Sequence, residues 1–142
     1  MTTEHARLVG HQTETWDAQL VPTDRGRVRQ PTPDCPVEVA LSAISGRWTT
    51  LVLRELMHGP CSFSELRDLL PALSAKVLAD RLHGLVERGL VVCERTAGFP
   101  VRTRYQLTAR GQALRPLLKT LYEVGSALAE GPEAIDSPCG GE

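Results

Sequence analysis

The strongest constraint on the fold is a pair of capped helices separated by a short turn. Ser62 and Glu65 have the spacing of a capping box, in which the two side chains satisfy free N–H groups at the start of a helix. Pro71 stops this first helix, because proline cannot donate to the hydrogen-bond ladder. Ser74 is placed to cap a second helix, which Gly89 ends. This arrangement is typical of a helix-turn-helix unit.

The second helix of this unit has one apolar face and one polar face. Leu78, Leu82, Leu85 and Val86 recur at helical spacing, which predicts a buried stripe. The charged and polar side chains left for the exposed face are Lys76, Asp80, Arg81, His83 and Arg88. In a helix-turn-helix unit the second helix enters the major groove of DNA, and the residues of its first turn reach the base edges.

A basic hairpin is predicted to follow, with strands at residues 91–95 and 102–107 and a loop that contains a glycine and a proline. Arg102 and Arg104 are two residues apart on one strand and therefore share a face. A third cation, Arg95, lies on the other strand, and no acidic residue occurs between positions 95 and 122. Phosphates or a narrow minor groove would balance these charges, and the alternative is a solvated edge strand.

Two helices are predicted before this unit. The first begins at Pro36, and its apolar residues at positions 37, 40, 41 and 44 share one face. Gly46 interrupts the pattern, and a second apolar face then follows at positions 48, 51, 52 and 56. We assign Trp48 to core packing in preference to a ligand site.

A long last helix is predicted after the hairpin. Thr108 is placed to cap it, and its apolar residues repeat every three or four positions as far as Leu128. Pro116 lies inside the pattern, where we expect it to bend the helix modestly.

The order of elements defines a mainly helical α+β fold, a winged helix-turn-helix with a two-stranded wing. We expect a domain at residues 35–128, an acidic flexible tail at residues 129–142 and an arm at residues 1–34. The arm could wrap a second subunit, contact DNA or stay partly disordered. The net charge of the 142 residues is −1, but residues 35–125 alone carry +4. A basic middle of this kind suits an anionic partner.

Composition and motifs exclude several classes of protein. No apolar run reaches the roughly 18–20 residues that span a bilayer, and the N-terminus lacks the pattern of a secretory signal. We therefore expect a cytoplasmic protein without a membrane partner. The four cysteines include no CxxC pair, so neither a metal nor another cofactor is expected. No nucleophile or metal motif occurs, so we expect no catalytic residues and no enzyme.

Five motifs resemble the HxlR-type winged helix-turn-helix transcriptional regulators. In chain order they are Cys-Pro at 35–36, Gly-Arg-Trp at 46–48, Phe-Ser-Glu-Leu at 63–66, SAKVLADRL from 74 and YQLTARG from 105. The resemblance covers about residues 35–125. It implies a bacterial DNA-binding homodimer that represses or activates nearby genes. It also implies that the last helix, helped by the N-terminal segment, forms the dimer, so that two recognition helices address half-sites about 34 Å apart.

The same resemblance assigns DNA contacts by position. It places Ser74, Lys76 and Arg81 on the recognition helix and Arg102 and Arg104 on the wing. Arg47, at the start of the second helix, is either a phosphate contact or a surface charge.

Two cysteines are candidate sensors. The resemblance implies that a cysteine at the position of Cys35 responds to oxidants or electrophiles. Cys61 precedes a helix cap, where the helix dipole could lower the thiol pKa. The alternative for both is a structural or incidental thiol. Cys93, on a strand, is expected to be a small buried hydrophobe.

Two other functions stay open at this point. One is a winged-helix regulator that senses a small-molecule metabolite in a pocket between the last helix and the first helices. The other is a winged-helix protein-interaction module whose basic wing meets an acidic partner.

Overall fold

The computed structural model describes residues 16–30 and 32–130, which divide into two compact units between Ser45 and Gly46. Residues 1–15 of the predicted arm and residues 131–142 of the predicted tail lie outside the described ranges. Among the described residues no helix is long and apolar enough to cross a membrane.

The first unit contains a short 3-10 turn at Asp24–Gly26 and helix α1 at Pro36–Ala43. The predicted start of α1 is confirmed, with Pro36 in its first turn. No side chain of α1 is buried, and Val37 and Leu41 of its predicted apolar face are exposed.

The three arginines of the arm that the structure describes, Arg25, Arg27 and Arg29, have partners inside this unit. Arg25 donates to the Asp34 carbonyl at 3.4 Å, Arg27 pairs with Asp24 at 2.9 Å, and the Arg29 guanidinium lies 5.6 Å from the centre of the Trp16 ring.

The second unit carries the helix-turn-helix and the hairpin. Its elements in chain order are α2 at Thr49–Met57, β1 at Cys61–Ser62, α3 at Phe63–Leu69, α4 at Ala75–Glu87, β2 at Val91–Thr96, β3 at Arg102–Leu107, α5 at Ala109–Gln112 and α6 at Arg115–Ala129. The core is formed mainly by leucines of α2, α3 and α4, and its fully buried members are Val52, Leu53, Leu56, Leu66, Leu78, Leu82 and Leu85. Leu53 is a core residue that the predicted apolar face omitted.

The helix caps are confirmed atom by atom. The Ser62 hydroxyl accepts from the Glu65 N–H at 3.0 Å, and the Glu65 carboxylate accepts from the Ser62 N–H at 2.9 Å. The Ser74 hydroxyl accepts from the Val77 N–H at 3.2 Å. These contacts fix where α3 and α4 start.

The hairpin of β2 and β3, with its connecting loop, is the wing. It is confirmed, and the sheet gains a short third strand, since β1 pairs antiparallel with β3 in the order β1-β3-β2. A two-residue strand leaves no periodicity that could predict it. The pairing places Arg104 opposite Glu94 and Ser62, and Tyr105 opposite Cys93 and Cys61. Because side chains alternate between faces, Arg102 and Arg104 lie on the outer face and Arg95 lies on the inner one.

The prediction of one bent last helix is wrong. The chain forms two helices, α5 and α6, and Pro116 lies in the first turn of α6 instead of inside a longer helix. Proline has no N–H for the carbonyl four residues earlier, so the hydrogen-bond ladder is interrupted at Gln112, and a new helix starts where proline is tolerated.

Candidate nucleic-acid interface

The first turn of α4 presents a free cation. Lys76 is exposed, and among the residues that the structure describes none forms an ion pair or hydrogen bond with its ammonium group. Ser74 is also exposed, but its oxygen accepts the capping hydrogen bond, which leaves the hydroxyl proton for a further acceptor. This end of the recognition helix therefore offers one charge and one hydroxyl donor to a ligand.

Arg81, in the middle of α4, is half-buried and is held by the main chain. Its Nε donates to the Arg47 carbonyl at 2.7 Å. A Cβ at Gly46 would lie 3.1 Å from that Nε, so the glycine makes room for the contact. Gly46 also has φ of +99°, which favours glycine. Arg81 thus ties the recognition helix to the turn that precedes α2.

The same turn determines where Arg47 and Trp48 lie. Trp48 adopts the left-handed conformation with φ of +75° at the start of α2. Its ring is half-exposed, and the Arg47 guanidinium lies 4.6 Å from the ring centre. Trp48 is therefore absent from the buried core to which we assigned it, and it orients Arg47 by a cation–π contact.

The two wing arginines differ in their surroundings. Arg104 donates to the Pro60 carbonyl at 3.2 Å and lies 3.9 Å from the Glu65 carboxylate. The expectation that it lacks a counter-ion is wrong, because β1 and the cap of α3 bring Glu65 to it. Arg102 is exposed and faces Thr96, and no described residue forms an ion pair with it. Arg102 is therefore the freer of the two arginines on β3.

A cleft runs between the wing and the start of α3. Its lining includes Ser64, Thr103 and both wing arginines. The structure thus brings Arg102 and Arg104 to one surface with the capping box. The sequence does not indicate that these arginines lie near the capping box, because the two segments are about 40 residues apart.

The two candidate sensor cysteines are both buried. Cys35 is the N-cap residue of α1 and makes no side-chain capping hydrogen bond. Burial, followed by the charges of Glu65 and Glu55, raises the pKa of the Cys61 thiol, although Arg104 opposes them. The prediction of a lowered Cys61 pKa is therefore wrong. Cys93 is only half-buried, so its predicted burial is incomplete.

Sequence reasoning did not single out Phe99, which lies at the tip of the wing and is fully exposed. An aromatic residue in a loop with glycine and proline was the available signal. As to metals, the described parts of the chain contain no group of three or more His, Cys, Asp or Glu side chains arranged to hold an ion.

A capped recognition helix with a free first turn, followed by a basic hairpin, defines a winged helix-turn-helix DNA-binding protein. A family profile described as HxlR-like helix-turn-helix matches residues 43–132, and the chain belongs to this family. The predicted fold class and the predicted DNA-binding regulator function are confirmed.

Relatives of known sequence support the same assignment. A transcriptional regulator of Synechocystis is 36% identical over 92 residues, which cover 65% of this chain and 68% of the relative. The regulator YodB of Bacillus subtilis is 35% identical over 102 residues, covering 71% of this chain and 91% of YodB.

Solved structures are similar over the same region. The redox regulator HypR in its reduced form has a TM-score of 0.63 at 28% identity, covering 67% of this chain and 94% of HypR. The reduced form of YodB has a TM-score of 0.62 at 31% identity, covering 70% of this chain and 98% of YodB.

Proposed function

We propose that this DNA-binding regulator is a non-enzymatic cytoplasmic homodimer that binds a specific duplex operator and responds to oxidants or electrophiles. The observation that carries the DNA contact is the free Lys76 on the first turn of a capped, exposed recognition helix. Lys76 and Ser74 contact the major groove, and Arg102 contacts phosphate from the wing. Arg47, Arg81 and Arg104 keep guanidinium N–H groups for phosphate beyond their contacts within the chain.

The operator can be found by footprinting on the DNA that flanks the gene of the protein itself. Lys76→Ala is then titrated against this operator and against random duplex DNA. If Lys76 contacts a base, its removal weakens operator binding by about 1–3 kcal/mol. If it contacts a phosphate, its removal weakens binding to both duplexes alike. Lys119→Ala is the matched control, because it removes the same charge from α6. Unchanged operator binding by Lys76→Ala would contradict the assignment.

An apolar stripe on α6 supports the homodimer. Leu117, Leu121, Val124 and Leu128 follow each other at spacings of four, three and four residues, as in the seam of a coiled coil. Leu121, Val124 and Leu128 are exposed. A second copy of this helix is the partner that such a seam fits.

The position of Cys35 supports oxidant sensing. It is the residue immediately before α1, the position that the family resemblance implies for a sensing cysteine, and the structurally similar HypR is a redox regulator. Peroxide would convert the Cys35 thiol to a sulfenic acid and be reduced to water. The test compares operator binding before and after mild peroxide in the wild type, in Cys35→Ser and in the control Cys61→Ser. Loss of the response in Cys35→Ser alone supports the proposal, and an identical gel shift in all samples overturns it.

A second candidate input is an anionic metabolite. A cleft between the end of α2 and the start of α6 is lined by Arg54, His58, Arg115 and Lys119 together with Met57, Leu118 and Tyr122. Cations beside apolar side chains suit a carboxylate that carries an apolar body. Benzoate, compared with uncharged benzamide, is a suitable probe in thermal unfolding and gel-shift titrations. Equal effects of the two probes would exclude recognition of the charge.

A further inference from the structure

The tip of the wing carries an exposed apolar cluster. Residues 97–101 connect the last paired residues of the two strands, Thr96 and Arg102. Phe99 in this loop is fully exposed, and Val101 is 61% exposed. A single exposed apolar residue is common on protein surfaces. Here two exposed apolar residues flank Pro100 at the tip of the hairpin, so together they form one projecting apolar surface.

The loop stands clear of the rest of the described chain at Gly98. This residue has φ of +153°, and a Cβ built on it would meet nothing within 4 Å. The loop backbone therefore has open space around it, next to Phe99. The ring of Phe99 loses no accessible surface to the remainder of the described structure, so any surface that it buries belongs to a partner.

Charge decides which partner fits. Arg95 and Arg102 lie at the two ends of the loop, and the chain between positions 95 and 122 has no acidic residue. An apolar tip flanked by cations is complementary to a ligand whose apolar surface is flanked by anionic groups. Duplex DNA has this layout, since two rows of phosphates border the stacked bases. Apolar side chains inserted from the minor groove partly unstack a base step and bend the duplex.

We propose that Phe99 is a wedge that enters the minor groove and unstacks a base step, while Arg95 and Arg102 hold the phosphates on either side. The proposal rests on the DNA-binding function proposed above. It makes Phe99 a specificity-determining residue, because pyrimidine–purine steps unstack more easily than others. The wing then selects sequence through deformability, in addition to the recognition helix.

The test places 2-aminopurine, whose fluorescence rises on unstacking, at successive positions of the footprinted operator. Wild-type protein is expected to raise the fluorescence at one step on each side of the operator. Phe99→Ala is expected to abolish this rise and to weaken binding by roughly 5- to 150-fold, the range measured for loss of one base–aromatic stack. Phe99→Trp restores both signals. Val92→Ala is the matched control, because it truncates an exposed apolar side chain of β2 outside the loop, and it leaves the fluorescence rise in place.

Other outcomes overturn the proposal. If Phe99→Ala binds with unchanged affinity and gives the same fluorescence rise, Phe99 makes no base contact. If Phe99→Ala binds more weakly but the wild type itself gives no fluorescence rise, no base step is unstacked. A change in oligomeric state of Phe99→Ala, measured by light scattering with DNA binding intact, assigns the tip to a protein contact instead. Failure of the wild type to bind any duplex contradicts the proposed function itself, which separates the two failures.

Discussion

At the scale of single residues, the turn at 46–48 determines which groups of Arg47 and Arg81 are already engaged within the chain and which remain for DNA. The Arg47 carbonyl takes the Nε–H of Arg81, and the Trp48 ring takes the Arg47 guanidinium. Arg47 and Arg81 therefore also stabilise the fold, as do Ser74 through its cap and Arg104 through the Pro60 carbonyl. The pairing joins residues 34 positions apart, and no local pattern in a sequence encodes such a partner. Charge and helical spacing indicate that Arg81 is polar, but not that its Nε is already bonded.

Arg81→Ala is expected to lower both stability and DNA affinity. Loss of a charged hydrogen bond to a carbonyl costs about 1.5–3 kcal/mol of unfolding free energy, and the freed helix would bind every duplex more weakly. Urea unfolding and gel-shift titration measure the two effects. The control is Lys76→Ala, for which we expect unchanged stability. Weaker binding by Arg81→Ala at full stability would show that Arg81 acts through its phosphate contact alone and that its bond to the Arg47 carbonyl does not stabilise the fold.

Cys61 shows why a helix start is a poor guide to thiol chemistry. The start of α3 is acidic because Glu65 belongs to its capping box, and Glu55 adds a second negative charge. The thiol is also buried and lies 3.7 Å from the Gly59 carbonyl, to which it donates. All three features favour the protonated thiol over the thiolate.

Slow alkylation of Cys61 is therefore expected. A folded-state pKa above the ordinary value keeps the Cys61 thiol protonated through neutral pH. The alkylation rate of Cys61 therefore keeps rising at pH values where the rate of an ordinary thiol has levelled off. At pH 7 we expect a lower rate than that of the same cysteine in the unfolded chain, because burial and the nearby carboxylates keep the thiol protonated. Peptide-resolved mass spectrometry with N-ethylmaleimide measures this. Glu65→Gln should speed the reaction, and a rate equal to the unfolded one would refute the account.

At the scale of elements, the sequence predicts most boundaries because caps and stop signals are local. Ser62, Ser74 and Pro36 start helices where their side chains or fixed φ angles allow. The division of the last helix before Pro116 and the short strand β1 are not predicted from the sequence. Pro116 could bend or divide a helix, and packing decides between the two outcomes. The two residues of β1 become a strand only because β3 lies beside them.

The packing of α5 also explains the glycine of the YQLTARG motif. Thr108 donates its hydroxyl to the Gly89 carbonyl at 2.7 Å, and its N–H to the Leu90 carbonyl at 3.0 Å. These bonds draw α5 so close to the end of α4 that a Cβ on Gly111 would collide with the Leu90 carbonyl. Only a residue without a side chain fits there.

Gly111→Ala is expected to destabilise the protein by about 3 kcal/mol, because the collision is with backbone that cannot move aside. Helix propensity alone predicts the opposite, a gain of about 0.8–1.0 kcal/mol. Gly125→Ala on α6 is the matched control, since a Cβ there meets nothing within 4 Å and should stabilise. Thermal unfolding of both variants decides the matter. Equal stabilisation of the two would show that α5 does not pack as described.

At the scale of the whole molecule, apolar surface is distributed unevenly. The buried core lies among α2, α3, α4 and the base of the wing, whereas α6 has no buried side chain. One side of α6, which includes Leu118 and Tyr122, borders the cleft beside α2. The stripe from Leu117 to Leu128 lies on the opposite side of the helix. Monomeric soluble proteins rarely expose a continuous apolar stripe of this kind, which supports the proposed dimer contact.

The final prediction concerns that stripe. The double variant Leu121→Glu and Leu128→Glu is expected to convert a dimer into a monomer in gel filtration with light scattering. Its circular dichroism should stay unchanged, because both side chains are exposed in the single chain. Operator affinity should then fall steeply, since each monomer addresses only one half-site. The control Glu123→Lys changes charge on α6 away from the stripe and should remain dimeric. A monomeric wild type, or a dimeric double variant, would place the subunit contact elsewhere, with the exposed face of α1 as the next surface to test.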